Sequence, residues 1–333
     1  MQILYKIKSG SHLYGLNTPT SDIDYVGVYI EDSFAEFINP FKITDELNLS
    51  YKLLNGKNDL NAMDEKYYHI SKFIKLCSEN NPGFLEMLFA PEHCIEYAHP
   101  FFKSLIIAHP NMFINIKLID RFIGYAKGQE QKGYTKANNY FDLENFRKRL
   151  ISLKSLHVGT QLHEIVSNDQ FKCNTEFKIS ESSAGNRILE LGGMKFPLGI
   201  TIKEAISRID DRFARSSYRI DNIFINKYDP KFMSHTVRLL EEGYQILTTG
   251  RITFPFKGQV LDDIMNIKLG KLSVPTVFNT IDAYKNKFSK MKRCKKLPEQ
   301  PDYKTIKKAY TELIINIYKN QILKENNHNV DIR

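Results

Sequence analysis

The residues best suited to chemistry lie near the N-terminus, between Lys8 and Tyr29, in the string KSGSHLYGLNTPTSDIDYVGVY. Asp22 and Asp24 stand two positions apart in a strand-like run that closes as Tyr25-Val-Gly-Val-Tyr-Ile30. Such residues share one face of a strand, so the two carboxylates are expected side by side while Ile23 turns away. Carboxylates so placed repel unless a cation sits between them, and hard oxygen ligands that leave room for phosphates favour magnesium. Ser11 comes ten residues before Ser21, and Gly10-Ser11 follows a first strand-like run in which Ile3, Tyr5 and Ile7 alternate with Leu4, Lys6 and Lys8. A glycine after a strand lets the backbone approach a ligand, and the amides and hydroxyl beyond it can hold phosphate oxygens. Together these point to a nucleoside triphosphate attacked in line at its α-phosphorus with metal assistance. Alone, an Asp-x-Asp is usually a solvated strand edge and a Gly-Ser a turn. Their order, spacing and flanking strands favour the functional reading.

Gly10-Ser11 followed by Ser21-Asp22-Ile23-Asp24 closely resembles the signature of the nucleotidyltransferase superfamily that includes DNA polymerase beta. The longer string GSHLYGLNTPTSDIDYVGV is similar to one branch, the RNA repair pathway-associated nucleotidyltransferases of bacteria and phages. The resemblance implies an α/β (α+β) core with a small mixed sheet and helices on one side, followed by a mainly helical C-terminal domain. It implies that Gly10, Ser11 and Ser21 bind the nucleotide, and that Asp22 and Asp24 bind two magnesium ions, with manganese as a substitute. It also implies a third carboxylate on the neighbouring strand, which binds metal and helps deprotonate the attacking hydroxyl. Asp64 is favoured, and Glu65 is the rival because a one-residue slip swaps the face.

Other elements must position these groups. Leu16 to Thr20 reads as a turn around Asn17 and Pro19, with Tyr14 as a packing residue and Gly15 as a bend. Asn39-Pro40 and Asn55-Gly56 mark further turns, and Phe41 to Leu54 could carry a strand. Asp64 to His69 reads as a short strand and Ile70 to Cys77 as a helix with Phe73, Ile74 and Cys77 on one side. Asn81-Pro82 suits a fresh helix start, and NNPGFLEMLFAP is similar to a hallmark of the same branch. Apolar helical spacing follows Pro91. The catalytic domain is expected over residues 1–115 and a mainly helical substrate-binding domain over 116–333, with 157–225 as an insertion.

Within the second part, residues 124–140 read as a loop holding three glycines, and Phe141 to Leu156 as an amphipathic helix. ILELGGMKFPLG suggests a hairpin through Gly192-Gly193. Asp229-Pro230 starts a helix on which Lys231, His235 and Arg238 fall at i, i+4 and i+7, one cationic face for triphosphate or nucleic-acid phosphate. This string resembles the branch's C-terminal signature. The ordinary alternative is a histidine satisfied at a helix interface beside two solvated bases. Seven Lys or Arg lie between Lys285 and Lys296, a candidate phosphate-backbone contact or a solvated helix face.

The 333 residues, 42% hydrophobic and 26% charged, suit a soluble globular protein of one large or two ordinary domains. No apolar run has the length of a membrane span, and catalytic-type residues so near Met1 argue against a cleaved leader. Cys77, Cys94, Cys173 and Cys294 show no Cys-x-x-Cys pairing, which suits a reducing cytoplasm, that of a host if the chain is phage-encoded. The net charge of +9 permits a polyanionic partner. Phosphate-loop, dinucleotide and hydrolase motifs are absent. The expected activity is transfer of a nucleoside monophosphate from an NTP to an acceptor hydroxyl, with release of pyrophosphate. An RNA end, tRNA among them, is the leading acceptor. A protein hydroxyl, a small molecule, or a non-catalytic nucleotide sensor are the alternatives. Acceptor, preferred nucleotide and oligomeric state are not legible in the sequence.

Overall fold

The structure, a computed structural model, describes residues 1–19, 21–39, 44–49, 64–154, 159–166, 177–183, 185–215, 217–294 and 297–328. The Asn55-Gly56 turn, most of the Phe41 to Leu54 strand, and Lys295 and Lys296 of the basic run lie outside these residues. Among the described residues, five strands form one mixed sheet: β1 (Gln2–Lys8), β2 (Asp24–Ile30), β3 (Glu46–Asn48), β4 (Asp64–His69) and β5 (Ile95–Ala98). Their order is β3-β4-β2-β1-β5; β2 runs antiparallel to β1 and parallel to β4. A smaller antiparallel sheet comprises β6 (Lys178–Glu181), β7 (Arg187–Leu191) and β8 (Met194–Pro197).

Helices occupy most of the remainder. They are α1 (Gly10–Tyr14), α2 (Phe34–Phe37), α3 (Ile70–Ser78), α4 (Pro82–Leu88), α5 (Pro100–Phe102), α6 (Lys117–Lys154) and α7 (Leu162–Val166). Then follow α8 (Ile202–Ala214), α9 (Ser217–Asn226), α10 (Pro230–Thr249), α11 (Gly258–Lys268), α12 (Val274–Cys294) and α13 (Tyr303–His328). The expected fold class is therefore observed: a mixed sheet with helices first, then a mainly helical region. No helix among the described residues is long and apolar enough to cross a membrane.

The chain divides into two compact units. The first is Met1–Ala126, Val237–Met265 and Asp282–Arg333; the second is Lys127–Thr236 and Asn266–Ile281. The first unit thus takes in two later segments besides the expected N-terminal stretch. In its sheet, β1 buries Leu4, Tyr5 and Ile7 completely, as a strand with neighbours on both edges does. Gly27 sits in β2, where a Cβ would lie 2.5 Å from the Tyr5 carbonyl oxygen and 2.6 Å from the Tyr67 ring. Glycine is needed because β1 and the Tyr67 side chain both close on that backbone. Asn81 caps α4, its side chain accepting from the Gly83 amide at 3.2 Å, with Pro82 opening the helix as its fixed φ allows. The later segments bind the same sheet region. The Tyr318 hydroxyl donates to the Glu31 carbonyl at 2.6 Å, and the hydroxyls of Tyr310 and Ser71 meet at 3.0 Å.

The second unit has its own core. Leu143, Phe146 and Leu150 of α6 pack with Leu189, Phe196, Ile209 and Ile223, so residues expected as an insertion share one interior with the preceding helix. The predicted hairpin is present: Gly192 and Gly193, at φ +57° and +70°, join β7 to β8 with the left-handed pair that matches strand twist. The loop expected over 124–140 is instead part of the continuous helix α6. Interior glycines cost about 1 kcal/mol each against alanine. Burial of Phe122, Ala126, Ala137 and Tyr140 along the helix offsets that. Gly133 has a packing reason as well, since a Cβ there would stand 2.9 Å from the Met233 methyl.

Gly27→Ala should destabilise the first unit by about 1–3 kcal/mol through overpacking. A lowered urea midpoint with an unchanged m-value checks this. An unshifted midpoint would show that β1 and Tyr67 yield without cost.

Candidate functional site

The chain leaves β1 at Lys8 and is tied at once to the start of β2. The Ser9 amide donates to the Asp24 carbonyl at 2.8 Å, and the Ser9 hydroxyl donates to the same oxygen at 3.2 Å. Gly10 then takes φ +60°, and a Cβ on it would stand 2.7 Å from Asp24 Oδ2. Both facts require glycine: the left-handed conformation disfavours a side chain, and the Asp24 carboxylate fills the space it would occupy. Ser11 follows within α1, half-buried, beside this contact.

Asp24 is the first residue of β2 and pairs in parallel register with Asp64, the first of β4. Adjacent strands lie about 4.8 Å apart, and paired residues project to one face. The two aspartates are therefore neighbours across the sheet. Glu65 pairs with Tyr25 on the opposite face, where its carboxylate accepts from Lys6 Nζ at 2.6 Å and from the Tyr67 hydroxyl at 2.9 Å. Partial burial raises the Glu65 pKa, but the hydrogen bonds from Lys6 and Tyr67 outweigh it and leave the carboxyl below its ordinary range. The Lys6 ammonium also lies 4.4 Å above the Tyr25 ring. Asp64, and not Glu65, shares the face of Asp24.

Asp22 departs from the sequence expectation. The strand begins only at Asp24, so the alternation rule does not reach Asp22, which is exposed in the segment leading into β2; Ile23 beside it is 36% exposed. Ser21 helps form that segment: its hydroxyl oxygen accepts from the Thr18 amide at 2.9 Å, and its own amide donates to the Thr18 carbonyl at 3.0 Å. Among the described residues, no three His, Cys, Asp or Glu side chains converge closely enough to hold a metal ion. What fits a hard divalent cation is the paired oxygen donors of Asp24 and Asp64, beside a backbone kept clear of a Cβ at Gly10.

The helix carrying Lys231, His235 and Arg238 forms as expected, with Asp229 Oδ1 accepting from the Lys231 amide at 3.1 Å. The three side chains do not form one solvent-facing cationic face. Lys231 is exposed and His235 half-buried, both in the second unit, whereas Arg238 is 7% exposed in the first. Arg238 Nη1 donates to Glu86 Oε1 at 2.6 Å and to Glu242 Oε1 at 2.7 Å, and its guanidinium lies 4.1 Å above the Tyr14 ring. The Tyr14 hydroxyl donates to the second oxygen of Glu86. Burial would lower the Arg238 pKa, but Glu242 and Glu86 hold it well above the usual guanidinium range. Burial pushes the Glu242 carboxyl and the Tyr14 hydroxyl well up. This cage joins α1, α4 and α10. Glu86 and Glu242 were missed by sequence reasoning. The available signals were an acid inside the apolar string GFLEMLF and an i, i+4 match to Arg238. The basic run is also partly neutralised: Lys287 pairs with Glu241 at 2.8 Å and Lys285 with Asp282 at 3.3 Å.

Residues 1–148 match the model of the RNA repair pathway DNA polymerase beta family, which makes this part of the chain nucleotidyltransferase-like, as the residue pattern implies. Over 297 residues the chain is 23% identical to an uncharacterized 38.9 kDa protein from the nrdC-mobD intergenic region of Enterobacteria phage T4, spanning 83% of this chain and 85% of that one. Among solved structures, a nucleotidyltransferase-like protein from Exiguobacterium sibiricum aligns at 8% identity and a TM-score of 0.24, over 88% of this chain and 69% of that one.

Two outcomes follow from the geometry. Gly10→Ala should cost about 1–2 kcal/mol of stability from its φ, and more where the added methyl displaces the Asp24 carboxylate; a lowered midpoint in a denaturant titration checks it, and an unshifted midpoint would show that the turn accommodates a side chain. Arg238→Met strands two buried carboxylates and should cost about 3–5 kcal/mol, read as a lowered denaturation midpoint. A neutral result would show that the cage is not a stability element.

Proposed function

We propose, from a chain whose residues 1–148 match the RNA repair pathway DNA polymerase beta family, that the protein moves a nucleoside monophosphate from an NTP to the hydroxyl of an RNA end, tRNA among the candidates, and releases pyrophosphate. The observation that carries the reading is the Asp24–Asp64 pair on neighbouring strands, with the Gly10 backbone against Asp24. Gly10 and Ser11 hold the triphosphate, and Ser21 fixes the turn from which Asp22 reaches it. Asp24 and Asp64 would hold magnesium, or manganese, with Asp22 joining from the segment leading into β2 once nucleotide brings a second ion; the metal's contribution when bound is to offset charge on the phosphate oxygens and lower the pKa of the attacking hydroxyl. Asp64 accepts the proton of that hydroxyl. Arg238 acts through Tyr14, holding α1 in place and touching no substrate. A net charge of +9 supports a polyanionic acceptor. The nucleotide supply of a cytoplasm, the host's for a phage-borne chain, suits this chemistry.

The test incubates the intact chain with labelled NTPs, magnesium and total cellular RNA or lysate, beside the Asp22→Ala/Asp24→Ala variant. Label is expected in RNA and should fall about a thousandfold or more in the variant. Label in a protein band that survives ribonuclease would overturn the RNA acceptor. Tight NTP binding with no label in any fraction would overturn the enzymatic reading in favour of a nucleotide sensor.

A further inference from the structure

A hollow of about 530 Å³ opens on the first unit between α3, the start of α6 and α13. Its lining carries Lys75, Lys117 and Lys307, and one carboxylate, Glu79. That carboxylate is taken by Arg121, which donates to it at 3.3 Å. Among the described residues, none of the three lysines has an ion-pair partner. The hollow therefore presents three uncompensated ammonium groups. Two tyrosines complete it. Tyr303 is 52% exposed and its ring packs on no other aromatic ring among the described residues, while Tyr310 is half-buried and held through its hydroxyl by Ser71 at 3.0 Å.

Helical geometry explains how α13 builds this wall. Tyr303, Ile306, Lys307 and Tyr310 recur at i, i+3, i+4 and i+7, so they share one face, with Ile306 buried beneath the others. A second hollow, of about 470 Å³, adjoins along α13: Lys307 lines both, and Lys304 and Lys308 line the second. The second hollow also carries one carboxylate, Glu312, against its three lysines, so an excess of cations continues past the first hollow, further than a mononucleotide needs. The ligand chemistry that answers unpaired ammonium groups and an exposed aromatic face is a chain of phosphates carrying stackable bases.

We infer that the α13 groove binds single-stranded RNA, with phosphates on Lys75, Lys117 and Lys307 and a base stacked on Tyr303. The proposal rests on the reading of RNA as acceptor and extends it to a second surface. It is lined by none of the residues of the reacting centre: Asp64 opens β4, whereas Ser71 on the groove follows the strand's other end, about 20 Å along the chain direction from Asp64. The groove would hold the body of an RNA at a distance from the end that reacts.

Fluorescence anisotropy of a labelled single-stranded RNA oligonucleotide tests this on the full chain, across a salt series. The variants are Lys75→Gln/Lys117→Gln/Lys307→Gln and, separately, Tyr303→Ala; all four positions are exposed, and circular dichroism checks that each variant folds. The triple variant should weaken binding about tenfold or more and flatten the slope of log K against log salt by about 2, three phosphates at about 0.7 each. Tyr303→Ala should weaken binding about tenfold at unchanged slope. Wild-type affinity and slope in the triple variant would overturn the proposal, as would an intact chain that binds mononucleotides or an acidic protein here but no RNA. Binding lost in the variants while no label enters RNA in the transfer assay would sustain the groove and overturn the RNA-acceptor reading. Label entering limiting RNA equally well with the triple variant would do the reverse.

Discussion

A guanidinium taken out of water must be answered by carboxylates, and Arg238 is answered by two that are themselves almost fully buried, Glu86 and Glu242. Because desolvation of such charges costs several kcal/mol per ion, the cage holds only where geometry is good and further hydrogen bonds help. Tyr14 supplies those contacts, with its ring under the guanidinium and its hydroxyl on Glu86. Three helices must then be in place together. Tyr14 ends α1, Glu86 lies inside α4, and Arg238 and Glu242 stand one turn apart on α10. The α1 helix that Tyr14 anchors begins at Gly10, whose backbone abuts Asp24. A residue remote in sequence thereby bears on the turn that the proposed chemistry needs.

The second constraint is register. The parallel pairing of β2 with β4 sets Asp24 beside Asp64 and Tyr25 beside Glu65. A slip of one residue would exchange the two acids between faces. Lys6 and Tyr67 guard against the slip, since they bind Glu65 on the far side of the sheet and would leave a half-buried lysine and a buried tyrosine hydroxyl without that partner if it moved. The same sheet needs Gly27 so that β1 and Tyr67 can close on β2. Specificity of the carboxylate pair is thus a consequence of ordinary strand packing.

Local rules read well from the residues. Strand β4, the Asn81-Pro82 helix start, the Gly192-Gly193 hairpin and the Asp229-Pro230 helix start all rest on dihedral preference or short-range hydrogen bonding, which neighbouring residues determine. Properties set by distant parts did not read. Spacing alone puts Arg238 on a stripe with Lys231 and His235, but it is buried, and one of the carboxylates that answer its charge is Glu86, far away in sequence. The glycines of 124–140 look like a loop because propensity counts their cost and not the burial of Phe122 and Tyr140 that offsets it. Asp22 was drawn into the strand because alternation has no signal for where pairing stops. Of the candidate site, the Gly10 turn was legible in residue type, and resemblance favoured Asp64 over Glu65; that Asp64 shares the face of Asp24 comes from the strand register.

The central claim is that Asp24 and Asp64 hold a divalent metal beside a triphosphate on Gly10-Ser11. The most direct measurement is anomalous diffraction from crystals of the intact chain grown with manganese and a non-hydrolysable nucleoside triphosphate. The account predicts an anomalous peak between the Asp24 and Asp64 carboxylates, with triphosphate oxygens on the Gly10-Ser11 backbone. Manganese bound elsewhere, or a nucleotide seated away from this sheet edge with the aspartates unliganded, would contradict it.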